Sequence, residues 1–209
     1  MEKIVETPEE IKERILDAAY ERFSRYGFNK TTVTEIAGDC SMSAANLYRY
    51  FENKHDIGAG IAVRFSGCEE KVMREEIRKP GTDVAKRLEN LVIETLRYIY
   101  NEFTNRPHIL ELVDFIIKER YDLAKKHKET QISLIAEVLA QGNSSGEFDV
   151  SDVIATADTL KMAVGNFVNP SFIAITMNCC GKDDYFSKEN MEIMARDVVR
   201  LLINGLKKH

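Results

Sequence analysis

Apolar positions recur at three- and four-residue intervals along almost the whole chain. No stretch of useful length alternates apolar with polar as a half-buried strand does, so an all-α fold is expected. The first helix opens at Thr7-Pro8-Glu9-Glu10. A threonine N-cap, a proline where its missing N–H costs nothing, and a glutamate placed to return a hydrogen bond form a capping box. Its apolar stripe is Ile11, Ile15, Ala19 and Phe23, and Gly27 is a natural C-terminal cap. Thr32-Val33-Thr34-Glu35 repeats the box and opens a helix too short to be stable alone, ending near Gly38-Asp39. Cys40-Ser41-Met42 makes a turn, and Ser43 caps a third short helix within SAANLYRYFENK, residues 43 to 54.

Asn53, with Asp56 three residues on, caps a fourth helix predicted to run to about Lys79, where Pro80-Gly81 stops it. Its expected stripe is Ile57, Ile61, Phe65, Cys68 and Val72. Val84, Leu88, Leu91, Val92, Leu96, Ile99 and Phe103 make a longer stripe, ended by Asn105-Arg106-Pro107. Residues 108 to 141 carry two more helices, divided between Glu119 and Lys128 where charge clusters. Gly142-Asn143-Ser144-Ser145-Gly146 reads as a loop. Ser151 to about Met177 is a further helix, interrupted or kinked at Pro170, and Ser187 to about Leu206 is the last.

On a helical wheel the third helix turns Leu47 and Phe51 to one side with Ser43 and Ala44 beside them, a face that can pack. Ala45 and Arg49 point the other way, flanked by Asn46 and Tyr48, with Tyr50 at the boundary; that face needs water or a partner. Net charge does not name the partner: 29 basic against 34 acidic residues leave a formal charge of -5. Between residues 22 and 54 the balance reverses, with Arg22, Arg25, Lys30, Arg49 and Lys54 against Glu35, Asp39 and Glu52. That local excess permits phosphate contact.

With 209 residues, 44% of them hydrophobic, the chain can bury a large core. No run approaches the roughly 20 apolar residues of a membrane span, and MEKIVETPEE is too acidic and polar for a secretory signal, so a cytoplasmic protein with no membrane partner is expected. Cys40, Cys68, Cys179 and Cys180 lack the spacing of a structural zinc site and are read as reduced thiols. There is no Ser/His/Asp or Cys/His nucleophile arrangement, no glycine-rich phosphate loop and no paired-carboxylate motif, so no enzyme, catalytic residue or cofactor is expected.

Two short helices joined by a tight turn have helix-turn-helix proportions, with the third helix placed for a major groove. Residues 31 to 57, TTVTEIAGDCSMSAANLYRYFENKHDI, resemble the DNA-binding signature of the tetracycline-repressor (TetR) family in Thr31-Thr32, Ile36-Ala37, Ser43, Leu47-Tyr48, Phe51 and Asn53-Lys54. The resemblance is sharp over residues 7 to about 60, and departs from the family at the turn. Many members have glycine there, where this chain has Ser41, which must accept the turn conformation at a strain cost.

The resemblance implies a helix-turn-helix DNA-binding domain at 1–53, joined through a long fourth helix to a ligand-binding and dimerisation domain at 54–209. It implies a homodimeric regulator, a repressor, that binds a palindromic double-stranded DNA operator and is released by a small-molecule effector. Thr32, Tyr48, Tyr50 and Lys54 match positions that contact phosphates in the family. Asn46 and Arg49 suit base edges, Ala45 a thymine methyl, and Thr34 a neighbouring base or phosphate. Phe103, Phe115, Tyr121, Met162, Phe167, Phe172 and Met177 are candidate linings of an effector pocket. The final two helices, through Leu160, Val164 and Phe167 and through Met191, Met194, Val198, Leu201 and Leu202, suit a four-helix dimer interface or burial within one subunit. A redox or metal sensor using Cys68, Cys179 and Cys180 on the same scaffold is the alternative.

Overall fold

Capping boxes start the chain's first two helices. In the computed structural model, which describes residues 6–104, 106–173, 176 and 186–207, the Thr7 hydroxyl accepts the Glu10 N–H while the Glu10 carboxylate accepts the Thr7 N–H. Thr32 and Glu35 do the same. The helices are α1 (Pro8–Tyr26), α2 (Val33–Asp39), α3 (Ala44–Leu47), α4 (Lys54–Ile77), α5 (Val84–Phe103), α6 (Leu110–Glu119), α7 (Tyr121–Ser145), α8 (Val153–Ala163) and α9 (Lys188–Leu206). Among the described residues there is no strand, only an isolated antiparallel bridge between Phe148 and Lys207.

The chain forms two compact units. One is drawn from Met1–Phe65 and Arg106–Ala124, the other from Ser66–Asn105 and Lys125–His209. In the first, Ile15, Ala19 and Phe23 of α1 are buried with Ile36 and Ala37 of α2, Leu47 of α3, Ile57 and Ile61 of α4, and Leu112 and Phe115 of α6. In the second, α5 buries all seven residues of its expected stripe. The core there joins Met73, Leu88, Leu91, Leu134, Leu139, Phe148, Leu160 and Ile203, with α5 lying along α9. Ser187 caps α9 by accepting the Asn190 N–H.

Four local expectations are corrected. The buried face of α4 does not pass through Cys68 and Val72 but continues from Ile57 and Ile61 to Glu69, Met73 and Ile77. Four-residue steps overshoot the 3.6-residue turn by about 40° each, so this stripe winds around the helix as its packing partners change. Gly142 is not in a loop: α7 runs on to Ser145, and Gly142 is the point where the Phe148 ring crosses the helix. Third, the break after α8 comes at Val164, where a 3-10 turn over Gly165–Val168 begins. Pro170 starts the next helical turn rather than kinking one, because Asn169 accepts the N–H groups of Ser171 and Phe172 as an N-cap. Finally, α3 has one turn only: Arg49 and Tyr50 donate to the carbonyls of Asn46 and Leu47, three residues back, which tightens its end.

Candidate nucleic-acid interface

The turn between α2 and α3 is held from below. Cys40 and Met42 donate their N–H groups to the Ile36 and Ala37 carbonyls at 3.1 and 2.9 Å, and the Arg14 guanidinium donates to the Cys40 carbonyl at 2.5 Å. Ser41 takes the left-handed conformation expected of glycine, at φ 54°. Ser43 caps α3 by accepting the Asn46 N–H at 3.2 Å, and Leu47, with no exposed surface, anchors the helix on the core. The wheel holds except at Ser43, which is exposed as the N-cap rather than packed: Leu47 is buried and Ala44 and Phe51 half-buried, while Ala45, Tyr48 and Arg49 are exposed and Asn46 and Tyr50 lie between.

Two of the acidic groups near this surface, Asp39 and Glu35, are paired from within the unit. Arg22 grips Asp39 with two hydrogen bonds of 2.6 and 3.0 Å, and its other nitrogen lies 3.3 Å from Glu35. The Arg22 hydrogen bond holds the Asp39 carboxyl below the ordinary carboxylate range, and the Thr32 hydrogen bonds do the same for Glu35. Arg49, by contrast, is exposed and has no ion pair among the described residues. Thr32 and Thr34 are exposed at the start of α2, and the buried Thr31 hydroxyl donates to the Gly27 carbonyl at 2.8 Å. Lys54 is held more closely than a solvated lysine. Its ammonium donates to the carbonyls of Phe28 and Asn29 at 2.8 and 3.2 Å and sits 4.7 Å from the Phe28 ring centre. Burial pulls its pKa down, against the opposing charge of Glu111. An ammonium has three donors, so one proton remains for a phosphate.

This geometry is a helix-turn-helix whose outer face carries an amide, a guanidinium and phenol hydroxyls, with Asp39 and Glu35 beside it paired to Arg22. The model for bacterial regulatory proteins of the tetR family matches residues 15–59, and that for the tetracyclin repressor-like C-terminal domain matches residues 85–180. The chain belongs to the TetR family. This TetR-family regulator is 27% identical over 168 residues to the HTH-type transcriptional regulator QacR of Staphylococcus aureus, covering 76% of this chain and 84% of that protein. It is 26% identical over 171 residues to the HTH-type transcriptional repressor BepR of Brucella suis, covering 77% and 79%. A putative TetR-family regulator from Mesorhizobium loti has the same fold, with a TM-score of 0.75 over 98% of this chain and 100% of that one at 17% identity. Members of the family are DNA-binding regulators, not enzymes.

The residues suggested as a pocket lining are dispersed. Phe115 belongs to the unit that holds the helix-turn-helix, stacked on Phe28 and His55 with ring centres 4.8 Å apart in each case. Tyr121, 68% exposed, belongs to the same unit. In the C-terminal unit Phe103 is buried, Phe167 packs on the core, Phe172 meets the Phe186 ring edge-on and Met162 is 75% exposed. Met177, Cys179 and Cys180 lie outside the described residues. Cys68 is exposed, and burial pushes the Cys40 thiol up. No helix among the described residues is long and apolar enough to cross a membrane.

Several long-range polar contacts carry no signal in the sequence. Glu69 has a 1% exposed side chain, accepts a short hydrogen bond from the Gln131 amide and lies 3.3 Å from the His127 Nε2. Burial pulls the Lys161 pKa down, with Lys128 adding to the effect and Glu69 and Asp158 opposing it. Glu111 accepts the N–H of Asn29, 82 positions earlier. Polar residues that meet across such separations fall outside periodicity, which reads only apolar faces.

Proposed function

We propose that this chain is a ligand-responsive repressor that binds a palindromic operator as a homodimer and leaves it when a small molecule occupies the C-terminal domain. The coarse part of this reading, a transcriptional regulator of the TetR family, follows from the two matched models. One observation carries the finer part: α3 hides Leu47 completely while Ala45, Tyr48 and Arg49 stand in solvent. In this reading Asn46 and Arg49 meet base edges, Ala45 a thymine methyl, and Thr32, Thr34, Tyr48, Tyr50 and Lys54 the phosphates and flanking positions. The proposed boundary lies near residue 53, with the helix-turn-helix before it.

Exposed apolar side chains support pairing of two copies through the last helices. Ile154 and Met162 on α8 are 57% and 75% exposed, and Ile193 and Leu201 on α9 are 57% and 73% exposed. Met191, Ala195, Val199 and Ile203 meanwhile turn into the subunit's own core, so α9 has a second, unfilled face. The effector acts by binding one conformation better than the other, and movement of α4 then alters the spacing of the two readers so that they no longer fit successive major grooves.

A gel-shift titration against DNA from the region upstream of its own gene, with scrambled competitor and varied salt, tests the reading. Specific, salt-weakened binding in dimer-sized steps supports it; a folded dimer that never distinguishes this DNA, or any genomic fragment in a selection, from scrambled competitor refutes it. Arg49→Ala should cost about 1 to 3 kcal/mol and relax preference at particular base pairs. Lys54→Ala should weaken binding to every sequence alike, and a changed base preference at normal affinity would contradict its assignment.

A further inference from the structure

The connection between α1 and α2 is held from both sides. From α6, the Glu111 carboxylate accepts the backbone N–H of Asn29 at 2.8 Å. From the first turn of α4, the Lys54 ammonium binds the carbonyls of Phe28 and Asn29. Ring stacking supports both grips, with Phe28 lying on Phe115 one turn along α6 from Glu111 and His55 lying on Phe115 in turn. Gly27 makes the arrangement possible. Its φ is +92°, and a Cβ there would stand 2.6 and 2.8 Å from the two Glu111 carboxylate oxygens, so the acid occupies space that only glycine leaves empty. Immediately downstream, Thr31 is tied to the Gly27 carbonyl and Thr32 caps α2.

We propose that Glu111 is a positioning residue for DNA binding: by fixing the 27–31 connection between α6 and α4, it sets the Thr32 cap and the Lys54 ammonium at the angle in which they meet phosphates. The proposal rests on the reading that Thr32 and Lys54 face the duplex. Its sign separates it from a passive role. A carboxylate near a DNA surface repels phosphates, so removing one that did nothing else would tighten binding. Removing one that orients the contact groups weakens binding although the surface becomes more positive.

The test uses the full chain and two fluorescein-labelled duplexes, one from the region upstream of its own gene and one scrambled, followed by anisotropy at two salt concentrations. E111A should bind both roughly tenfold more weakly, the scale of one charge-assisted hydrogen bond. E111Q keeps an oxygen to accept the Asn29 N–H, and should bind as wild type or tighter. Amide hydrogen exchange of the free protein supplies a readout independent of DNA: the Asn29 amide should exchange faster in E111A and stay protected in E111Q. Should E111A fail to fold, E111D, one methylene shorter, replaces it with the same expected direction. E111A that binds as tightly as wild type, or tighter, overturns the proposal, as does an Asn29 amide equally protected in both. Wild-type protein that binds neither these duplexes nor any genomic fragment in a selection overturns the DNA reading and this proposal together, whereas wild-type binding with unchanged E111A affinity overturns this proposal alone.

Discussion

Two glycine-to-alanine substitutions in helices should move stability in opposite directions. Gly142 lies in the last turns of α7, and an alanine Cβ there would stand 2.1 Å from Cδ2 of Phe148, 2.7 Å from its Cγ and 2.8 Å from its Cε2. The ring cannot swing aside cheaply. Glu147 and Phe148 donate their N–H groups to the Gly142 carbonyl at 3.0 and 3.1 Å, and Asp149 donates to the Leu206 carbonyl at 2.9 Å. The ring itself is 3% exposed within the C-terminal core. Helix propensity favours alanine by up to about 1 kcal/mol, overpacking costs about 1 to 3 kcal/mol, and expelling the ring costs about 1.5 to 3 kcal/mol. The clash outweighs the gain, and Gly142→Ala should destabilise by up to about 2 kcal/mol after about 1 kcal/mol of propensity is subtracted.

Gly67 lies within α4, exposed, with nothing within 4 Å of its would-be Cβ. Gly67→Ala should therefore stabilise, by about 0.5 to 1 kcal/mol. Urea unfolding read by circular dichroism, with midpoints and slopes compared against wild type, decides both. In a Phe148→Ala background the penalty at 142 should largely vanish, because the two positions act through one contact. A Gly142→Ala protein as stable as wild type, or more stable, would refute the claim that this glycine is there for close approach.

Leu47→Ala should lower stability by about 2 to 5 kcal/mol through a cavity under α3; an unchanged urea midpoint would mean that the recognition turn is not anchored there. Lys54→Ala should lower the slope of log affinity against log salt by about one phosphate contact, measured by anisotropy over a salt series. In the C-terminal unit Arg97 donates to both carboxylate oxygens of Glu192 at 2.8 and 2.6 Å, and this hydrogen bonding, opposed by desolvation, holds the Glu192 carboxyl below its ordinary value of 4.5. A carboxyl depressed in the folded state contributes its full stabilisation above its ordinary value and loses it as pH falls through the folded value. Urea midpoints should therefore drop on acidification below 4.5, and less steeply in Glu192→Gln; identical pH profiles would contradict the assignment.

The parts legible in the sequence share a short range. Thr7 with Glu10, Thr32 with Glu35, and Asn53 with Asp56 each close a hydrogen bond across three residues, so residue type and spacing determine the outcome before any tertiary contact exists. The α5 stripe was legible for a related reason: one continuous core lies along it, and a fixed face keeps a fixed period. The buried face of α4 was not, because it begins in one compact unit and ends in the other, and because Glu69, a charged residue, occupies a place that an apolar pattern leaves blank. Gly142 looked like loop chemistry when only the Phe148 ring gives it a purpose.

The same difference of range divides the candidate sites. A helix-turn-helix presents its contact residues from some twenty consecutive positions, so the outward set from Ala45 to Arg49 can be read from a wheel once Leu47 is known to point inward. An effector site has no such economy. Glu69 meets Gln131 across 62 positions, and the aromatic residues chosen for a pocket by composition fall into different units, Phe115 with the helix-turn-helix and Phe103 with the C-terminal core. Chemistry assembled by long-range juxtaposition depends on which faces the fold brings together. Glu111 makes the point at the DNA-binding end: an acid on a helix beyond the recognised signature reaches the loop before α2, and only its contact with Asn29 shows that a residue outside the signature helps to shape it.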